Sequence, residues 1–167
     1  MSEEIVNKVA SSSLISIDLE QYYPKEIVMF DLKPYLFMEL VLKEKEFRAA
    51  LQQTDWSVFQ QQTVAITCTA DAIIPVWAYM LVTSYLQPIA ADIIFGNKKF
   101  AIAQAVLKRI GRIETKDFVD KRVVIKGCGD LEIDPSAFAE ITKILLPVVR
   151  SIMYGEPCST VPIYRRK

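Results

Sequence analysis

At 167 residues the chain is long enough for one domain with a substantial core and too short for two ordinary ones. Half its residues are hydrophobic, and Lys+Arg and Asp+Glu stand at 20 each, so no net field draws it to nucleic acid or to an anionic membrane surface. It has no histidine, which excludes Ser-His-Asp and Cys-His nucleophile pairs and His-ligated metal sites. Three cysteines, an odd number, together with an acidic Met1-Ser2-Glu3-Glu4 start, predict a cytoplasmic protein with thiols rather than disulfides.

In chain order, residues 1–60 read as an N-terminal strand and helix extension. A short helix is expected over residues 3–10, then strands near 14–19 and 26–32 separated by Tyr23-Pro24. Helical stretches follow and end near Gln53: Asp31 is placed to cap a helix starting by Tyr35, and residues 44–52 form a surface helix. No low-complexity linker sets this region apart, so residues 1–167 are expected as a single domain.

The rest of the chain repeats. Residues 64–96 laid over 123–155 without a gap are identical at 10 of 33 positions, among them Ile66/Ile125, Thr83/Thr142, Leu86/Leu145, Pro88/Pro147 and Gly96/Gly155. This is an internal duplication at a spacing of 59 residues. Each copy opens with a β-branched run that suits a strand covered on both faces. A loop and a helix ending at Pro88 or Pro147 follow, then a second apolar strand, so each copy predicts a right-handed β-α-β unit. Between the copies, residues 98–112 carry apolar positions at helical spacing, with lysines on the other face. The fold class expected is α/β: one mainly parallel sheet built from two duplicated β-α-β units.

Residues 72–91 run uncharged for about the length that crosses a bilayer. The second copy carries Asp134, Glu140, Lys143 and Arg150 in the corresponding stretch, so the shared architecture works in water and no membrane span is expected.

The loops that follow parallel strands gather at one edge, where open α/β sheets place their ligands. Cys68 and Cys128 end the first strands of the two copies, and Cys158 lies three residues past the last strand. With Asp71 and Glu156 they form the candidate metal set, since thiolates select zinc or iron-sulfur species. No C-x-x-C supports it, and free cysteine also serves as a small buried hydrophobe. Trp77, Lys126 and Asp130 are candidate pocket residues, although Trp77 and Tyr79 also suit a packed core helix. The Lys126-Gly127-Cys128-Gly129-Asp130 turn lacks both a dinucleotide fingerprint and a P-loop. Arg165-Arg166-Lys167 reads as a solvated terminus.

The run Thr67-Cys68-Thr69-Ala70-Asp71-Ala72-Ile73-Ile74-Pro75-Val76-Trp77-Ala78-Tyr79-Met80 resembles a bacterial family of uncharacterised proteins, domain of unknown function 2480. So do Ile125-Lys126-Gly127-Cys128, the segment from Ser151 to Tyr164, and the opening Glu4-Ile5-Val6-Asn7-Lys8-Val9. The resemblance spans essentially the whole chain and brings no established reaction. What it implies is a setting near iron-sulfur assembly, with iron-sulfur assembly proteins as partners.

Three readings follow. The first is an accessory protein whose Cys68, Cys128 and Cys158, with Asp71 or Glu156, hold a metal or cluster. The second is a metal-free interaction module that forms a homo-oligomer through the apolar helix over residues 74–86 and Trp77. The third is a thiol-dependent enzyme acting on a small molecule, which needs one cysteine of strongly depressed pKa.

Overall fold

A computed structural model of the chain describes residues 14–126 and 129–167. It is an α/β fold of nine strands and four α-helices among those residues. The contacts divide the chain into two compact units: an inserted unit, residues 24–104, and a split unit, residues 1–23 with 105–167.

β1 (Leu14–Asp18) belongs to the split unit, and β2 (Val28–Asp31) opens the inserted one. A small antiparallel hairpin, β3 (Leu36–Phe37) and β4 (Val41–Leu42), leads to α1 (Glu44–Gln53). Then come β5 (Thr63–Thr67), α2 (Val76–Leu86) and β6 (Asp92–Phe95). The three main strands form a parallel sheet in the order β2-β5-β6. Val64 and Ile66 of β5 meet Ala78, Val82 and Leu86 of α2, which recur at helical spacing and are buried completely or nearly so. Phe30 joins this core stacked on Tyr35 and Trp56, with ring centroids 5.6 and 5.5 Å away.

The split unit resumes within α3 (Lys98–Ile110), after which come β7 (Arg122–Lys126), α4 (Pro135–Leu145), β8 (Ser151–Glu156) and β9 (Ser159–Arg165). Its sheet runs β1-β7-β8-β9, parallel except for β9. Val123 and Ile125 pack on Ala137, Ile141 and Leu145, with Ile17, Val106 and Ile110 completing the core.

The expected single, mainly parallel sheet is thus corrected. There are two main sheets, and the larger is mixed because the chain beyond β8 turns back as β9. The strands expected in an N-terminal extension instead pair with β7 and β5, each completing a different sheet. The helix expected from Tyr35 is a single 3-10 turn, Lys33–Tyr35, cut short where the chain extends into β3. The helix expected over residues 3–10 lies outside the described residues.

Correspondence between the units extends beyond the aligned segments. The spans of β5, α2 and the 3-10 turn Trp56–Phe59 recur 59 residues later as β7, α4 and Thr115–Phe118. Gln61 and Asp120, also 59 apart, both take a left-handed conformation, and their amides donate to the equivalent carbonyls of Ile89 and Val148. The Tyr79–Phe95 edge contact recurs as Phe138–Tyr154. Gly96 and Gly155 both sit at positive φ, +139° and +118°, where a β-carbon is disfavoured.

Candidate functional site

Sequence reasoning points to the carboxyl ends of the parallel strands. In the inserted unit that edge is organised by Asp31, the last residue of β2. Its carboxylate accepts from the backbone N–H of Lys33 at 2.9 Å, and from the backbone N–H and hydroxyl of Thr69. Burial works to raise its pKa, but these hydrogen bonds and the nearby Lys33 charge outweigh it and hold the carboxyl below the usual range. Cys68 follows β5 directly. It is half-buried against the core, with its Sγ 3.8 Å from the carbonyl of Ala70. Burial, and secondarily Cys68, raises the pKa of Tyr79. Asp71 is exposed in the following loop.

The split unit has its own version. Asp18, in the register position that corresponds to Asp31, accepts from the N–H of Glu20 at 3.0 Å. Glu20 in turn accepts from the N–H of Leu131 at 2.9 Å and occupies the space where a β-carbon on Gly129 would lie. Lys126 pairs with Glu156 at 3.1 Å. The hydrogen bond from Lys126 and the Glu156 charge raise the ammonium above the ordinary lysine range. Glu156 is therefore engaged by a cation, and Asp130 is exposed.

Cys158 is exposed in the tight turn between β8 and β9. Cys128 lies outside the described residues. Among the described residues no three Cys, Asp or Glu side chains come together in a way that could hold a metal ion. The candidate ligands fall in different units, Cys68 and Asp71 in the inserted one, Glu156 and Cys158 in the split one. Trp77 packs beside Phe47, with centroids 6.1 Å apart, and under the guanidinium of Arg48 at 5.9 Å.

Two features were not anticipated from the sequence. The first is a motif, Asp-Leu-x-x-Tyr, at Asp18-Leu19-Glu20-Gln21-Tyr22 and again at Asp31-Leu32-Lys33-Pro34-Tyr35. Each copy ends a strand and opens a 3-10 turn, and both leucines are fully buried. The signal was legible, but at a spacing of 13 residues rather than 59.

The second is an apolar face on the inserted unit. A cavity of about 1030 Å³ runs between α2 and β6, with Val76, Tyr79, Met80, Ile93 and Phe95 on its walls. Val76, Met80 and Phe95 are 73, 67 and 62% exposed, and α2 carries no charge. β6 is an edge strand among the described residues. Asp92 and Gly96 donate toward β5, so by alternation the N–H and C=O groups of Ile93 and Phe95 point away from the sheet. The Ile93 N–H is taken by the carboxylate of Asp92 at 3.0 Å.

Among the described residues no helix is long and apolar enough to cross a membrane. Fold and strand-end geometry thus define an α/β protein of two units, one built on a parallel sheet and one on a mixed sheet, each with an aspartate at the end of its first strand. A model of a family of proteins of unknown function, DUF2480, matches residues 3–166, and the chain belongs to that family. No curated protein and no solved structure matches the chain.

Proposed function

We propose that this protein is a self-associating interaction module, and that its two units are diverged copies of one β-α-β ancestor. The common 59-residue offset of strands, helices and left-handed residues supports the second part. On this view one complete copy sits between the first strand and the remainder of the other.

The observation that carries the functional reading is the contrast between equivalent edges. The outer edge of β8 is covered by β9, in the register Ile152↔Tyr164 and Tyr154↔Val161. The outer edge of β6, its counterpart, has no such strand among the described residues, and Phe95 is 62% exposed where Tyr154 is 36%. A second copy fits this vacancy by symmetry. With Ile93 of one copy opposite Phe95 of the next, antiparallel pairing gives the outward Phe95 amide and both outward carbonyls a partner, lets the Ile93 amide exchange its Asp92 contact for a strand partner, and closes under a two-fold axis. Both α2 helices then lie on the same face, and Val76 and Met80 are covered without bringing like charges together. The exposed parts of Val76, Met80 and Phe95 come to about 400 Å² a copy, which with the rim of Ser84 and Gln87 reaches the ~1,000 Å² of a specific interface.

Light scattering on the whole chain tests this. The native protein is expected as a dimer, and Met80→Lys and Phe95→Lys as folded monomers, both side chains being exposed within one copy. A native monomer at every concentration, or variants that remain dimeric, would contradict the reading.

Metal binding through thiolates is a separate proposal, supported by Cys68 and Cys158 each lying just beyond the carboxyl end of a strand of its own unit. Zinc or iron retained after anaerobic purification and lost in a Cys68, Cys128, Cys158→Ser triple variant is its expected result. Equal metal content in both proteins overturns it.

A further inference from the structure

The split unit holds a cavity of about 480 Å³ at the end of its sheet opposite Cys158, where β7 and β8 begin and β9 finishes. Arg122, Ser151 and Arg165 face it from three adjacent strands in direct register, and Arg150 lines it from the residue before β8. Neighbouring strands lie about 4.8 Å apart, so the Arg122 and Arg165 backbones stand roughly 10 Å from each other with Ser151 between them.

Among the described residues none of these three arginines has a carboxylate partner, whereas the adjacent Arg166 is matched by Asp120 at 2.7 Å and the carbonyl of Pro147. Like charges set across a sheet repel. The carboxyl end of α4 lies nearby in sequence, but a helix terminus supplies only about half a negative charge against three positive ones. Nor does the fold require the arginines: the inserted unit has Thr63, Ala91 and Asp92 at the positions of Arg122, Arg150 and Ser151. Ser151 is also the one buried polar side chain among the described residues. Met153 and Tyr164 add an apolar wall.

We propose that this cavity binds a small ligand carrying a diphosphate group. Such a group bears about three negative charges near neutral pH, matching the three guanidinium groups, which bind phosphate oxygens in pairs. The Ser151 hydroxyl donates to a phosphate oxygen between the flanking arginines, and the organic part of the ligand lies on Met153 and Tyr164. Arg165, read from the sequence as part of a solvated terminus, contributes to the cavity as the last residue of β9.

Calorimetric titration of the full chain with inorganic diphosphate and inorganic phosphate, at matched ionic strength, tests the site. Saturable one-to-one binding is expected, at least tenfold tighter for diphosphate, with Arg150→Gln and Arg165→Gln each weakening it about tenfold. In phosphate-free buffer both variants are expected to melt no lower than the native protein, since each relieves repulsion, and this separates lost binding from lost folding. The proposal is overturned by no saturable binding at millimolar diphosphate or by equal affinity in the double variant. Tighter binding of a short oligonucleotide than of diphosphate also overturns it, because that marks a polynucleotide surface instead.

Discussion

Asp31 shows how one carboxylate ties two loops together. Because its folded-state pKa is depressed, it contributes stability above the unfolded aspartate value of about 3.9, and that contribution is lost as pH falls through the lower folded value. Asp31→Asn is expected to cost about 1 kcal/mol at neutral pH and to flatten the acid limb of a melting-temperature profile; an unchanged profile contradicts the role. The glycines at positive φ give a second comparison. A β-carbon on Gly155 would meet the Ser159 carbonyl oxygen at 2.5 Å, fixed backbone, whereas on Gly96 it would meet the Phe100 ring at 2.7 Å, a side chain able to turn away. Gly155→Ala is therefore expected to destabilise by about 2–3 kcal/mol and Gly96→Ala by about 1–2 in denaturant titrations.

Elements differ in how openly their residues announced them. The 59-residue offset was legible in Ile66/Ile125, Thr83/Thr142 and Pro88/Pro147, and the spans of β5 and β7, and of α2 and α4, stand at the same offset. The pairing of β1 with β7 across more than a hundred residues left no local trace, since register follows from tertiary packing that periodicity does not encode. The cysteine edge was reasoned from strand ends; Cys68 follows β5 in the inserted unit and Cys158 follows β8 in the split unit, a division not written in spacing alone. The basic cavity could have been suspected from Arg122 and Arg150-Ser151 opening two strands. At β6, the Asp92 carboxylate occupies an amide that the proposed dimer needs. Replacing it with the residue its counterpart carries, Asp92→Ser, is expected to tighten self-association by about tenfold in sedimentation experiments. Weaker association in that variant counts against β6 as the interface.

At the scale of the molecule, the two units solve the exposed-edge problem of an open sheet differently. The split unit continues its own chain into β9, and the inserted unit, whose chain passes directly from β6 toward α3, has no further strand on that edge among the described residues, which is where the proposed dimer would pair. Amide hydrogen exchange at Phe95, followed against protein concentration, tests this most directly. The account predicts protection that rises with concentration toward that of Tyr154, whose amide faces β9 at all dilutions. A Phe95 amide that exchanges at the same fast rate from dilute to concentrated solution, while Tyr154 stays protected, would contradict it.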